Sequence, residues 1–92
     1  MVFEWDPSKA LENLRKHEVT FNEAVSVFGD VYGITACDPD HSADEQRYVT
    51  VGASNRGRLL IVAHVDRRER IRIISARKLT RSERMDYEET LR

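Results

Sequence analysis

Arg70 to Tyr87, RIRIISARKLTRSERMDY, sets a strand, a basic corner and a capped helix in immediate succession, and its reading decides the fold. Isoleucines at 71, 73 and 74 interleaved with Arg70 and Arg72 have the pattern of a half-buried β-strand running to about Ala76. Thr80 followed by Glu83 is the capping-box spacing that opens a helix. Arg77 and Lys78 fall at the junction. A cationic pair fixed between two rigid elements holds an anion such as phosphate in one place, whereas the same pair on a loose tail only attracts it.

Upstream, RLLIVAHV from Arg58 to Val65 and RYVTVGA from Arg47 to Ala53 read as strands. Ser54-Asn55-Arg56-Gly57 joins them, with Gly57 free to take positive φ in a short hairpin. A second hairpin turns around Arg67 and Arg68. Residues 31 to 37, VYGITAC, give a further strand, and hairpin connections favour an antiparallel sheet. Two helices precede the strands. Asp6 is an N-cap candidate followed by Pro7 at the first helical position, and Ala10, Leu11, Leu14 and His17 or Val19 follow helical spacing with one face packed inward. Lys9, Glu12, Asn13 and Lys16 are left to water, and the helix ends near His17. Thr20 with Glu23 has capping-box spacing for a second helix carrying Phe21, Ala24, Val25 and Phe28, which Gly29 can close. The expected fold is α+β: two N-terminal helices, a four-stranded antiparallel sheet and a C-terminal helix.

A chain of 92 residues, 40% apolar, is expected to form a single domain over residues 1–92 with a small core. The start, MVFEWDPSKA, has no apolar leader region, and no stretch approaches the roughly 18 apolar residues of a membrane span. A cytoplasmic protein that does not engage a membrane is expected. Cys37, the single cysteine, has no CxxC or His-Cys spacing for zinc. The loop DPDHSADE, Asp38 to Glu45, lacks the glycine and spacing of a calcium loop. Neither a metal nor a cofactor is expected. Charge is divided along the chain: residues 1–55 hold 4 Lys/Arg against 10 Asp/Glu, and residues 56–92 hold 11 against 6. A basic C-terminal part can bind nucleic acid through one face, although pairing along a solvated helix accounts for some of this charge.

Register decides what His64 does. With Arg67 and Arg68 as a two-residue loop, Val65 opposes Arg70, Ala63 opposes Arg72 and His64 opposes Ile71, half-buried. A three-residue loop pairs His64 with Arg72 instead, setting imidazole beside guanidinium. Both registers remain open, and a lone histidine in an apolar strand is most often a core residue.

FEWDPSKALENLRKHEVTF at the start and RIISARKLTRSERMDYE at the end, with DEQRYVTVG and GRLLIV between them, resemble the BrnT family of toxins over nearly the whole chain. Two positions depart from the family pattern: Glu18, where glycine is usual, and Leu79, where alanine is common. The resemblance implies the toxin of a type II toxin-antitoxin system with a RelE-like fold and ribonuclease activity. It also implies a BrnA-like antitoxin with a ribbon-helix-helix DNA-binding part, so that promoter DNA is reached only through the complex.

Metal-free RNA cleavage needs a group to accept the 2'-OH proton, cations for the phosphorane and a group to protonate the leaving oxygen. Arg77 is the first choice for the phosphate clamp, because guanidinium is bidentate and always charged. Lys78 is second, and Arg72 can add to the same field. His64, His17, Glu45 and Tyr87 are chemically capable of proton transfer; His17 also suits a helix C-terminus, and Tyr87 also suits packing of the last helix. Arg81 and Arg84 form a cationic edge for RNA, extended by Arg58 beside the Gly57 turn. Phe3 and Trp5 read as apolar packing beside an N-cap rather than base-stacking groups. The competing function is a non-catalytic protein whose basic face docks an antitoxin or another acidic partner.

Overall fold

The structure, a computed structural model, describes residues 1–38 and 46–92. The carboxylate-rich loop read from the sequence, and Glu45 with it, lies outside the described residues except for Asp38. The elements are β1 (Val2–Glu4), α1 (Pro7–His17), α2 (Phe21–Ser26) with a 3-10 turn at Val27–Gly29, β2 (Ile34–Cys37), β3 (Arg47–Ala53), β4 (Leu59–Arg67), β5 (Arg70–Lys78) and α3 (Arg81–Thr90). The sheet has five strands in the order β1-β5-β4-β3-β2, with β1 parallel to β5 and the other pairs antiparallel. The expected four-stranded antiparallel sheet is thus corrected to a five-stranded mixed one. The missed strand is three residues long, too short for alternation to announce it. Among the described residues no helix is long and apolar enough to cross a membrane.

Caps place the helices where the sequence puts them. Asp6 accepts the Ser8 N–H at 2.8 Å and the Ser8 hydroxyl at 2.7 Å, opening α1. Thr80 and Glu83 make the full reciprocal box on α3. At α2 only half the box forms: Thr20 accepts the Glu23 N–H at 3.0 Å, but the Glu23 carboxylate turns inward to Ser54 and Arg58. Glu18 closes α1 in the left-handed region at φ 57, ψ 34, a conformation costing a side-chain-bearing residue roughly 1–2 kcal/mol. Glu18→Gly is therefore expected to stabilise the protein by about 1 kcal/mol and to raise the thermal midpoint by roughly 4–8 °C. An unchanged or lower midpoint in a calorimetric scan would contradict that account of the helix end.

The inward face of α1 differs from the sequence expectation. Leu11 is 60% exposed and Leu14 43%, whereas Asn13 is buried at 5%. The reason lies in β5, whose outer edge is paired by the short β1 only from Arg70 to Arg72. Beyond that point the Asn13 amide acts as a missing strand: Oδ1 accepts the Ala76 N–H at 3.0 Å, and Nδ2 donates to Ala76 O at 2.8 Å and to Val19 O at 2.9 Å. Burying a leucine there would leave three peptide groups without partners.

Helices α1 and α2 cover one sheet face, where Val19, Phe21, Ala24, Val27, Leu60, Val62, Ile71, Ile73 and Ala76 form the core. Phe3 packs on Phe28 with ring centroids 5.1 Å apart, and Trp5 packs edge-on against Phe21 at 5.8 Å, so both aromatics are spent on packing. The β4–β5 register matches neither sequence alternative. Arg67 pairs Arg70 across a turn of Arg68 and Glu69, Val65 pairs Arg72 and His64 pairs Ile73. Arg68 adopts φ 57 in that turn. Between Ala63 and His64 the register slips by a bulge, because Ala63 pairs Ser75 and leaves Ile74 unopposed. The slip changes the phase of β5: strict alternation from Ile71 and Ile73 would bury Ser75 and Arg77, whereas Ala76 is buried and Arg77 is turned outward.

Candidate nucleic-acid interface and active site

The junction of β5 and α3 meets the last turn of α1. Arg15 and Lys16 complement the negative end of the α1 dipole beside His17, and Asn13 in the preceding turn locks that end of the helix to β5 at Ala76. Arg77 and Lys78 follow Ala76 directly. The result is a hollow of about 510 Å3 lined by Arg15, Lys16, His17, Arg77, Lys78 and Thr80, with Glu18 as the one carboxylate in the lining. Lys78 is shared with a neighbouring hollow of about 420 Å3, where Arg84, Arg58 and Gly57 are the other basic and turn residues. Sequence reading placed Arg77 and Lys78 together; it missed Arg15 and left Lys16 to solvent. The basic run at a helix end was the available signal, but its contact with β5 depends on Asn13.

Arg77 is not a free clamp. Its two terminal nitrogens bind the Glu83 carboxylate at 2.8 and 2.9 Å, a fork-on-fork pair that ties β5 to the first turn of α3. The Arg77 hydrogen bonds, followed by the Thr80 N–H, hold the Glu83 carboxyl at about 2, well below the ordinary value of 4.5. The folded state therefore keeps this carboxylate charged at pH values where the unfolded chain binds a proton. Its contribution is present above about 4.5 and is lost as pH falls toward about 2. Glu83→Gln is expected to lose stability at neutral pH and to show a shallower acid-unfolding slope between those values. Identical slopes in the two proteins would refute the assignment.

The remaining sequence candidates separate from this hollow. Arg72 binds Glu4 at 3.2 Å near the β1 end of the strand, about 16 Å from Arg77 along β5. His64 is 1% exposed, its ring nitrogens held by Thr50 Oγ1 at 2.8 Å and Asp66 Oδ1 at 2.7 Å, and it lies edge-on to Phe28. Tyr87 is 8% exposed and donates its hydroxyl to Tyr32 O at 3.0 Å. Burial and then the nearby Asp30 carboxylate push the Tyr87 phenol above its usual range. Arg58 is committed to the buried Glu23, through its Nε at 2.9 Å and a terminal nitrogen, and also reaches Glu18 O at 3.1 Å. Arg81 and Arg84 are exposed on α3, and of the two Arg84 meets Lys78 in the second hollow. His17 is half-buried, with no hydrogen-bond partner among the described residues, leaving its imidazole open to the larger hollow.

Chemically, the hollow offers several cations around one imidazole, a set suited to an anion that must be held while a proton moves. Among the described residues no three His, Cys, Asp or Glu side chains gather in a metal-binding group. In fold, the chain is similar to the crystal structure of the Brucella abortus ribonuclease toxin BrnT, with a TM-score of 0.68, 20% identity, and coverage of 88% of this chain and 100% of that one. No curated protein sequence matches. The family model for the ribonuclease toxin BrnT of type II toxin-antitoxin systems matches residues 5–83, spanning α1, the basic corner and the α3 capping box. With that match over most of its length, the chain belongs to the BrnT family of type II ribonuclease toxins.

Proposed function

We propose that the protein is a cytoplasmic endoribonuclease that cleaves RNA by attack of the RNA's own 2'-OH, without a metal ion, in the hollow between α1 and the β5–α3 corner. The observation that carries this reading is the half-buried His17 imidazole among Arg15, Lys16, Arg77 and Lys78. The 2'-oxygen bonds to phosphorus as the bond to the 5'-oxygen breaks, giving a 2',3'-cyclic phosphate and a 5'-hydroxyl. Lys78 and Arg15 stabilise charge on the phosphorane, and His17 transfers a proton at the reacting oxygens. Arg77, anchored by Glu83, adds fixed positive charge and holds α3 in place. His64 and Tyr87 serve the fold in this scheme, because their polar groups are held by protein partners, and Arg72 lies near the β1 end of β5, away from the hollow. Arg84 and Arg81 guide the RNA backbone. A BrnA-like antitoxin with a ribbon-helix-helix part would inhibit by covering the basic face, and promoter DNA would be bound only by the complex.

The test is cleavage of a defined RNA by purified protein in EDTA, comparing wild type with Lys78→Met and identifying the product ends. Lys78 is exposed, so its replacement removes charge at little structural cost, unlike Arg77→Ala, which also frees α3. A loss of about 100-fold to 1000-fold with cyclic or 3'-phosphate ends is expected. Absence of cleavage by folded wild type, both in EDTA and in a separate magnesium-containing assay with intact ribosomes, would reject the enzyme in favour of a binding protein. Equal cleavage by both proteins would move the chemistry elsewhere.

A further inference from the structure

We infer that a second, smaller hollow that shares His17 with the first is a nucleobase subsite that selects keto bases, guanine or uracil, over adenine and cytosine. The inference rests on the ribonuclease reading of the neighbouring hollow. This space of about 230 Å3 lies between α1 and β5; Lys9, Lys16, His17, Ile74 and Ser75 are the lining residues that matter here. Lys16 and His17 line both hollows, so the two are contiguous through those side chains. Clefts for whole drug-sized ligands start at roughly 300 Å3, and the smaller volume suits one ring system beside a phosphate held in the larger space.

The β5 bulge is the independent observation. Ile74 has no partner on β4, and the bulge leaves Ile74 and Ser75 both half-buried in succession, where regular alternation would bury one and expose the next. Bulges re-aim side chains, and this one turns an aliphatic surface and a hydroxyl toward α1. The Ser75 hydroxyl has no hydrogen-bond partner among the described residues. The Asn13 amide in the wall is fully engaged with Ala76 and Val19 and cannot read a base. The groups left to do so favour donation: the Lys9 and Lys16 ammonium groups only donate, the Ser75 hydroxyl and His17 imidazole can donate or accept, and the one carboxylate, Glu12, pairs with Lys16 at 2.8 Å. A donor-rich wall placed at that edge fits guanine O6 and uracil O4, and meets the N6 and N4 amino groups that adenine and cytosine carry at the same positions unfavourably.

The test titrates each of the four nucleoside 3'-monophosphates into the full chain and follows backbone amide shifts by NMR, for wild type, Ser75→Ala and Lys9→Met. Expected are shifts centred on Ile74, Ser75 and Lys9, with guanosine and uridine nucleotides binding roughly 10-fold tighter than the other two and each variant eroding that ratio. Shifts confined to Arg15 and Lys78, equal affinity for all four, or a ratio untouched in both variants would overturn the subsite. Cleavage of RNA in EDTA is measured in parallel. If RNA is cut while nucleotides leave Ile74 and Ser75 unperturbed, the subsite alone fails. If nucleotides bind there selectively but no RNA is cut, the ribonuclease reading alone fails.

Discussion

Asn13→Leu is expected to lower stability by about 3 kcal/mol or more, the largest effect of any single change considered. Three peptide groups depend on the Asn13 amide: Ala76 N–H, Ala76 C=O and Val19 C=O, at 3.0, 2.8 and 2.9 Å. Ala76 and Val19 are both 0% exposed, so water does not replace the lost partner without opening the core. Each buried group left unpaired costs about 1–3 kcal/mol, and leucine returns only part of that through apolar burial. For a domain of this size the thermal midpoint should fall by roughly 12–24 °C. Asn13→Asp should do no better, because the carboxylate keeps the contact with Ala76 N–H but faces two carbonyl oxygens where the amide donated to them. A midpoint within about 4 °C of wild type for Asn13→Leu would show that this amide is not the missing strand. The same substitution should reduce RNA cleavage even below the melting range, since Asn13 holds the turn carrying Arg15, Lys16 and His17 against β5.

The second large effect concerns His17. If its imidazole moves the proton in RNA cleavage, His17→Gln should lower the single-turnover rate by about 100-fold or more while leaving the thermal midpoint nearly unchanged. That combination separates catalysis from capping. A histidine that only complements the helix dipole contributes about 0.3–1 kcal/mol, so its loss would move the midpoint by a few degrees and leave the rate alone. The absence of a hydrogen bond from His17 to any described residue argues against a large structural cost. A wild-type rate in His17→Gln would remove the imidazole from the mechanism and leave Lys78 and Arg15 as the groups to pursue.

His17 and Asn13 together show where local reading stops. Helical periodicity placed the start and end of α1 correctly from Asp6, Pro7 and His17, because caps and the missing proline donor act within one turn. It put Ala10 and Val19 inward correctly but misplaced Leu11, Leu14 and Asn13, because a polarity pattern treats asparagine as a solvent residue and leucine as a core residue. At residue 13 the deciding partner is Ala76, 63 positions away. Arg77 gives the same lesson at the site: its place beside Lys78 was legible, but the pair with Glu83 depends on the phase of β5 after the bulge.

The sequence by itself determined the caps of α1 and α3, the positions of the three long strands and the basic corner, since each rests on propensity, alternation or spacing within a few residues; the family rests instead on resemblance along nearly the whole chain. Only the tertiary structure decided the parallel β1, the burial of Asn13, the enclosure of His64 by Thr50 and Asp66, and the union of the α1 terminus with Arg77 and Lys78 in one hollow. The physical reason is that backbone donors and acceptors at a sheet edge must be satisfied by whatever the fold brings to them, and spacing along the chain carries no record of that partner.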